Sequence, residues 1–163
     1  MAPRLPAAKH SAGLLVYRRT IVGAFEFLLV HPGGPYWSRR DDGAWSIPKG
    51  EIGPHEEPLA AAQREFTEET GLAVGGPFVA LRPIRQRSGK VVDCWLVEAD
   101  LDLSAFHSNT FDIEWPPRSG RTLSAPECDR AAYFEADAAM VKILPGQSPI
   151  IAQALGILAQ ADR

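Results

Sequence analysis

Glu65, Glu68 and Glu69 set the tightest limit on what this chain can fold into. They lie in a segment punctuated like a helix. Pro58 suits the first helical position, where a missing N–H costs nothing, and Gly71 supplies a left-handed stop after Thr70. At about 100° per residue the three carboxylates fall within roughly 100° of arc, one turn apart. Ala61 and Ala62 share their side and are small enough for a neighbouring loop to come close, while Leu59 and Phe66 face the core. Three like charges near a helix C-terminus repel one another and oppose the macrodipole. Two readings follow. One is a solvated acidic face with Arg64 as a partial counter-ion. The other is a hard divalent cation held by oxygen ligands, for which Mg2+ or Mn2+ is better matched than zinc.

The surroundings are those of a folded, soluble chain. Its 163 residues predict one domain over 1–163, with 1–9 as a loose terminus. With 17 basic against 20 acidic residues, the net charge of -3 does not suit a grip on a polyphosphate backbone, so no long nucleic acid is expected as partner. No run approaches the ~18 apolar residues of a membrane span. Met1–His10 carries Arg4 and Lys9 without an apolar core after them, so no secretory leader and a cytoplasmic location are expected. Cys94 and Cys128 are not ligand-spaced and read as reduced thiols.

Alternating hydrophobicity predicts strands at Ser11–Tyr17 and Ala24–Val30, joined by a hairpin turn at Arg18–Gly23. Leu14 and Val16 fall on one face of the first, Leu15 and Tyr17 on the other. His31–Gly43, rich in Pro and Gly, reads as a long loop. Further strands are expected at Ala44–Ile47, Phe78–Arg82, Val91–Val97, Phe111–Trp115 and Ala131–Phe134. A C-terminal helix is expected with Ser148 as N-cap, Pro149 first, and a stripe of Ile151, Ala154, Leu155 and Leu158. These elements predict an α/β sandwich, with helices on both faces of a mixed sheet.

The stretch around the glutamates carries more than their spacing. Gly50, Glu56, Arg64, Glu65, Phe66, Glu68, Glu69, Gly71 and Leu72 form one pattern over 23 residues. It resembles the signature of the Nudix hydrolases at every defined position, and Trp45–Gly50 looks like the lead-in common among diadenosine polyphosphate hydrolases of that family. The resemblance implies the family's α/β/α sandwich, with the box as loop–helix–loop. It implies that Glu65, Glu68 and Glu69 hold Mg2+, with the Lys49 carbonyl as a further ligand. It also implies that Arg64 orients these glutamates and that Glu56 braces the loop, with Gly50 and Gly71 as structural glycines. Glu65 is the first choice as the base that accepts a proton from water.

Members usually recruit one more acid from outside the box. Glu127 is the preferred candidate, with Glu114 and Asp129 as rivals. Lys49, Arg39, Arg40, Arg85, Arg87, Lys90, Arg118 and Arg121 are candidate phosphate contacts; of these Lys49 is fixed beside the box, and Arg39 and Arg87 are taken with it as substrate-binding. Tyr36 and Trp37 either stack on a base or cover the sheet edge. Trp45 reads as core. His10, His31, His55 and His107 do not cluster along the chain. Neither a tyrosine nor a proline stands cleanly at the subfamily-marking places after the box.

The expected activity is Mg2+-dependent hydrolysis of a P–O–P bond in a nucleoside diphosphate-linked small molecule, with a dinucleoside polyphosphate preferred. The alternatives are a nucleoside triphosphate pyrophosphatase and a nucleotide-binding module without turnover. The oligomeric state is not legible in the sequence.

Overall fold

The computed structural model describes residues 9–162; the expected loose terminus falls on residues 1–8, outside the described residues, and on Lys9. β1 (His10–Arg19) and β2 (Phe25–Pro32) form the expected hairpin, both longer than the alternating pattern suggested. β3 (Lys49–Glu51) precedes α1 (Pro58–Thr70), whose bounds are those the sequence predicts. β4 (Val79–Ala80), β5 (Ile84–Arg85) and β6 (Val91–Glu98) follow. Then come β7 (Thr110–Glu114), β8 (Thr122–Pro126), β9 (Cys128–Glu135), α2 (Ala136–Lys142) and α3 (Ser148–Ala161).

The main sheet runs β4-β6-β1-β2-β9, with β1 and β6 parallel and its other pairs antiparallel. Period-2 alternation along β1 divides the core. Leu14 and Val16 pack with Ala61, Ala62 and Phe66 of α1 on one face. Leu15, with Tyr17 beside it, packs with Ile150, Ile151 and Ala154 of α3 on the other. The chain is therefore an α/β/α sandwich. Phe66 is 1% exposed, and burying such a side chain stabilises by about 1.5–3 kcal/mol. Ala61 and Ala62 admit the sheet itself against the helix, where a loop was expected.

One edge of β1 is shared. Its last residues pair with β2, at Tyr17–Arg19, and its first with β3, at Ser11–Gly13. This split lets the chain pass from the Val30 side of β2 to the start of β3. Ala44–Ile47, expected as a strand, is the passage: it makes only single bridges, Ser46 to Val30 and Trp45 to Ile143. No neighbour runs beside it for long enough to build a ladder.

Other expectations need correction. Phe78–Arg82 shrinks to β4, because only Val79 and Ala80 pair with β6. Ala131–Phe134 is the middle of the longer β9, which pairs with β2 along nearly its whole length. Trp115–Gly120 is the turn of a β7–β8 hairpin that forms its own two-stranded sheet, so the loop expected after it contains β8. Ser148 lies inside α3, with Gln147 before it; its hydroxyl donates to the Pro145 carbonyl at 2.9 Å instead of capping the helix. Trp45 is core, 3% exposed, with its ring edge-on to Phe134. Among the described residues no helix is long and apolar enough to cross a membrane.

Candidate active site

The box is assembled by one guanidinium. Arg64 grips Glu56 with two parallel hydrogen bonds, Nε to Oε2 at 2.8 Å and Nη2 to Oε1 at 2.9 Å. Its Nη1 donates to Glu65 at 2.8 Å and Glu68 at 3.1 Å, and Nη2 also reaches the Glu51 carbonyl at 3.1 Å. Glu56 in turn accepts from the Gly53 N–H at 2.9 Å, which ties the loop into the same network. The Arg64 guanidinium, with the Gly53 N–H, holds the Glu56 carboxyl down at about 2.

The two box glycines have separate steric reasons. A Cβ on Gly50 would overlap the Glu65 carboxylate, so glycine there lets β3 lie flat against that side chain. Gly71 has φ 72° and its N–H returns to the Thr67 carbonyl, a left-handed helix stop; a Cβ there would also overlap His107.

Glu69 points away from the arginine. Its Oε2 accepts from the Lys49 backbone N–H at 3.1 Å. Burial pushes its carboxyl up to about 8, with Glu65 and Glu127 adding repulsion. Burial also raises Glu65, against the pull of Arg64, and raises Glu127, which feels Glu65 and Glu68. The carboxylates thus share one poorly solvated volume. On its other side stands Lys49, whose ammonium is pushed down by burial and by neighbouring Lys90.

Glu127 reaches this place through the backbone. The last carbonyls of α1 are met by a passing segment: the His107 N–H donates to the Thr70 carbonyl at 2.9 Å, and the Asn109 N–H to the Glu68 carbonyl at 2.8 Å. The Glu127 N–H then donates to the Asn109 carbonyl at 2.8 Å, and the Glu127 carbonyl accepts from the Gly33 N–H at 2.9 Å. The rivals are occupied elsewhere. Glu114 is exposed on β7. Asp129 lies 2.7 Å from Nδ1 of fully buried His31, whose Nε2 meets the Arg40 carbonyl at 2.6 Å.

A cavity of about 200 Å³ adjoins the acids. Val30, Trp37, Ser46, Cys128 and Leu144 line it together with Lys49, Glu69 and Glu127. Its wall is mostly apolar, with charge at one end. Trp37 belongs to it, with the Arg40 guanidinium over its ring. Tyr36 is 55% exposed and sits edge-on to Trp115 of the β7–β8 hairpin. Arg87 lines a different groove, with Gln86, Ser88 and Gly146, which meets the first at Leu144. Arg39 is exposed. Sequence reasoning missed Ser46, Cys128, Leu144 and the buried Gln147 behind them. Their types are ordinary, and no spacing links them to the box.

The donor set suits a hard divalent cation. Glu65, Glu68, Glu69, Glu127 and the Lys49 carbonyl offer only oxygen, and burial raises the Glu65, Glu69 and Glu127 carboxyls, so that their charge is costly until a cation offsets it. As they stand, no three acidic, histidine or cysteine side chains among the described residues group around one point. Two of the acids, Glu65 and Glu68, are turned toward Arg64.

Comparison with known proteins agrees with this architecture. The family model described as the NUDIX domain matches residues 9–154. The asymmetrical bis(5'-nucleosyl)-tetraphosphatase of Rattus norvegicus is 31% identical over 142 residues, 78% of this chain and 87% of that one. The RNA pyrophosphohydrolase of Bartonella henselae is 36% identical over 67 residues, 39% of this chain and 36% of that one. Among solved structures, a binary complex of a C. elegans Ap4A hydrolase superposes with a TM-score of 0.62 at 21% identity, covering 94% of this chain and 99% of that one. The NUDIX domain of Shewanella oneidensis NrtR, complexed with ADP ribose, gives 0.66 at 16% identity, covering 94% and 90%. At such identities the two structures speak for the fold.

Proposed function

Because the chain belongs to the Nudix family, and is thereby a hydrolase of phosphorus-containing anhydrides, we propose that it cleaves a P–O–P bond in a dinucleoside polyphosphate. The observation that carries this reading is one pocket with opposite ends. Glu69 and Glu127 line it beside Lys49, which has Lys90 as its neighbour, and the rest of its wall is mostly apolar and includes Trp37. Its volume and aromatic wall suit one nucleobase, and its charged end suits a phosphate chain. The similarity to the rat tetraphosphatase over most of both chains favours a two-ended substrate.

Glu65, Glu68, Glu69, Glu127 and the Lys49 carbonyl would hold Mg2+, with Mn2+ as a substitute. Such an ion supplies positive charge to phosphate oxygens and makes water more acidic. The side chains do the rest. Glu65, kept above the usual carboxylate range by burial, accepts the proton of the attacking water. Arg64 holds Glu65 and Glu68 in place, and Lys49 faces the phosphates. Tyr36, Arg39 and Arg87 would serve a substrate long enough to leave the slot. Water attacks phosphorus directly, without a covalent intermediate: of the hydroxyl and thiol groups lining this pocket, Cys128 is buried and its thiol is pushed up by burial and by Glu69, and the Ser46 hydroxyl donates to the Ile47 carbonyl. The whole chain would act as one domain in the cytoplasm, on a free nucleotide.

A second reading has its own support. The Bartonella relative is an RNA pyrophosphohydrolase, so a nucleoside triphosphate end is the competing substrate. A panel with Mg2+ separates the readings: diadenosine tetraphosphate, canonical and oxidised nucleoside triphosphates, and RNA bearing a 5'-triphosphate. The expected result is fastest turnover of diadenosine tetraphosphate to ATP and AMP. Faster turnover of any triphosphate overturns the preference, and tight binding without turnover across the panel leaves a binding module.

A further inference from the structure

In a parallel pair of strands, a residue's N–H reaches the carbonyl before its partner, and its carbonyl receives the N–H after it. Trp45 does this against Ile143. Its N–H donates to the Lys142 carbonyl at 2.9 Å, and its carbonyl accepts from the Leu144 N–H at 2.7 Å. One rung further, the Ile47 N–H would meet the Leu144 carbonyl. The chain turns away first. The Leu144 carbonyl accepts instead from the Gln147 N–H at 2.8 Å, closing a turn of 3-10 helix at Pro145–Gln147. The Ile47 N–H is met by a side chain instead: Gln147 Oε1 accepts from it at 3.0 Å.

The same amide closes on the neighbouring residue. Gln147 Nε2 donates to Ser46 Oγ at 3.0 Å, and the Ser46 hydroxyl lies 3.2 Å from Oε1. Gln147 is fully buried, so water offers these groups no substitute. Two residues beyond Ile47, the Lys49 N–H holds Glu69. Pro48 lies between, with its φ locked by the ring. Ser46 and Leu144, on either side of the junction, line the cavity that holds Glu69 and Glu127.

We propose that Gln147 is a positioning residue for this site. Its amide continues the ladder where the backbone stops, and so fixes Ser46–Lys49 at the height where the Lys49 N–H meets Glu69. It touches no substrate and acts through Glu69. The kinetic part of this proposal rests on the functional reading given above; the structural part does not.

The test is Gln147→Met, close in size but without the amide, beside Gln147→Glu, which keeps an acceptor for Ile47. In Gln147→Met, amide exchange at Ile47 and Lys49 should rise at least about tenfold while β1 and β6 stay protected. With diadenosine tetraphosphate and Mg2+, kcat should fall about ten- to a hundredfold with KM within about twofold. Gln147→Glu should recover most of that loss. In a Glu69→Gln background, adding Gln147→Met should lower the rate by less than about twofold, because both changes act through one group. Unchanged exchange at Lys49 overturns the proposal whatever the activity. Exchange that rises across β1 and β6 as well overturns it too, because Gln147 would then merely hold the fold. Fully additive rate losses overturn the route through Glu69. A wild-type protein inert toward diadenosine tetraphosphate sinks the functional reading alone, and the exchange data still decide the positioning.

Discussion

Glu56 and Glu69 belong to one box and meet opposite fates. Glu56 takes two hydrogen bonds from Arg64 and sits at about 2; Glu69 is turned from the arginine, takes one from the Lys49 N–H, and sits at about 8. A guanidinium beside a partly solvated carboxylate favours its charge, whereas burial opposes it. Arg64 therefore divides the acidic face in two. Glu56, which it grips with two hydrogen bonds, is neutralised and serves as scaffold, while Glu65 and Glu68 share the remaining guanidinium nitrogen at the border. Glu69, which it leaves, holds its proton in a cavity, where burial makes its charge costly until a cation offsets it.

The largest expected effect lies on the unpaired half. Glu69→Gln should lower kcat by on the order of 10²–10³, with KM changed far less, since one preorganised charge at a reacting centre is worth that much. Steady-state kinetics at saturating Mg2+ check this, and near-native turnover would remove Glu69 from the site. Next is Gly50→Ala. Its Cβ would overlap the Glu65 carboxylate and drive it off its seat, so the rate should fall by about 10² while Glu56 and Arg64 stay paired. A variant with normal kcat would mean that Glu65 need not lie against β3.

Arg64→Ala tests the divider itself. Glu56, Glu65 and Glu68 lose their shared cation together, so both melting temperature and kcat should drop, kcat by about tenfold. A melting temperature equal to wild type would show that the loop does not depend on the guanidinium. The smallest effect belongs to Glu56→Gln. A carboxyl lowered from 4.5 to about 2 contributes stability that is present above pH 4.5 and lost as pH falls through about 2. The variant should therefore melt below wild type at neutral pH and converge with it toward pH 2, as a pH series of thermal melts would show.

The two halves were unequally legible beforehand. Helical spacing with Pro58 and Gly71 marked α1 to the residue, because local propensity, capping and the buried face all agree there. The division made by Arg64 was hidden, since a helical wheel places Glu65, Glu68 and Glu69 on one arc and cannot say which carboxylate a neighbouring backbone N–H will claim. Gln147 was hidden for a similar reason. In a Pro-Gly turn a glutamine reads as surface, and only tertiary structure shows that a ladder ends beside it. β8 escaped notice because it is almost wholly exposed and carries little alternation. Ala44–Ile47 has the composition of a strand, but the split edge of β1 leaves it without a lasting partner.

The contrast between Glu56 and Glu69 is tested most directly by the rise in melting temperature on adding Mg2+, measured against pH for wild type, Glu69→Gln and Glu56→Gln. In the folded protein Glu69 keeps its proton up to about pH 8, against 4.5 unperturbed. Without metal, stability should therefore fall as pH rises from 4.5 to 8, because the native state binds more protons than the unfolded chain over that window. Mg2+ must displace that proton, so its stabilising effect should grow with pH through about 8 in wild type. Glu56→Gln should keep this pH-dependent gain and Glu69→Gln should lose it. A Glu69→Gln variant that retains the full gain, beside a Glu56→Gln variant that loses it, would make Glu56 and not Glu69 the carboxyl on which the cation acts and contradict the account.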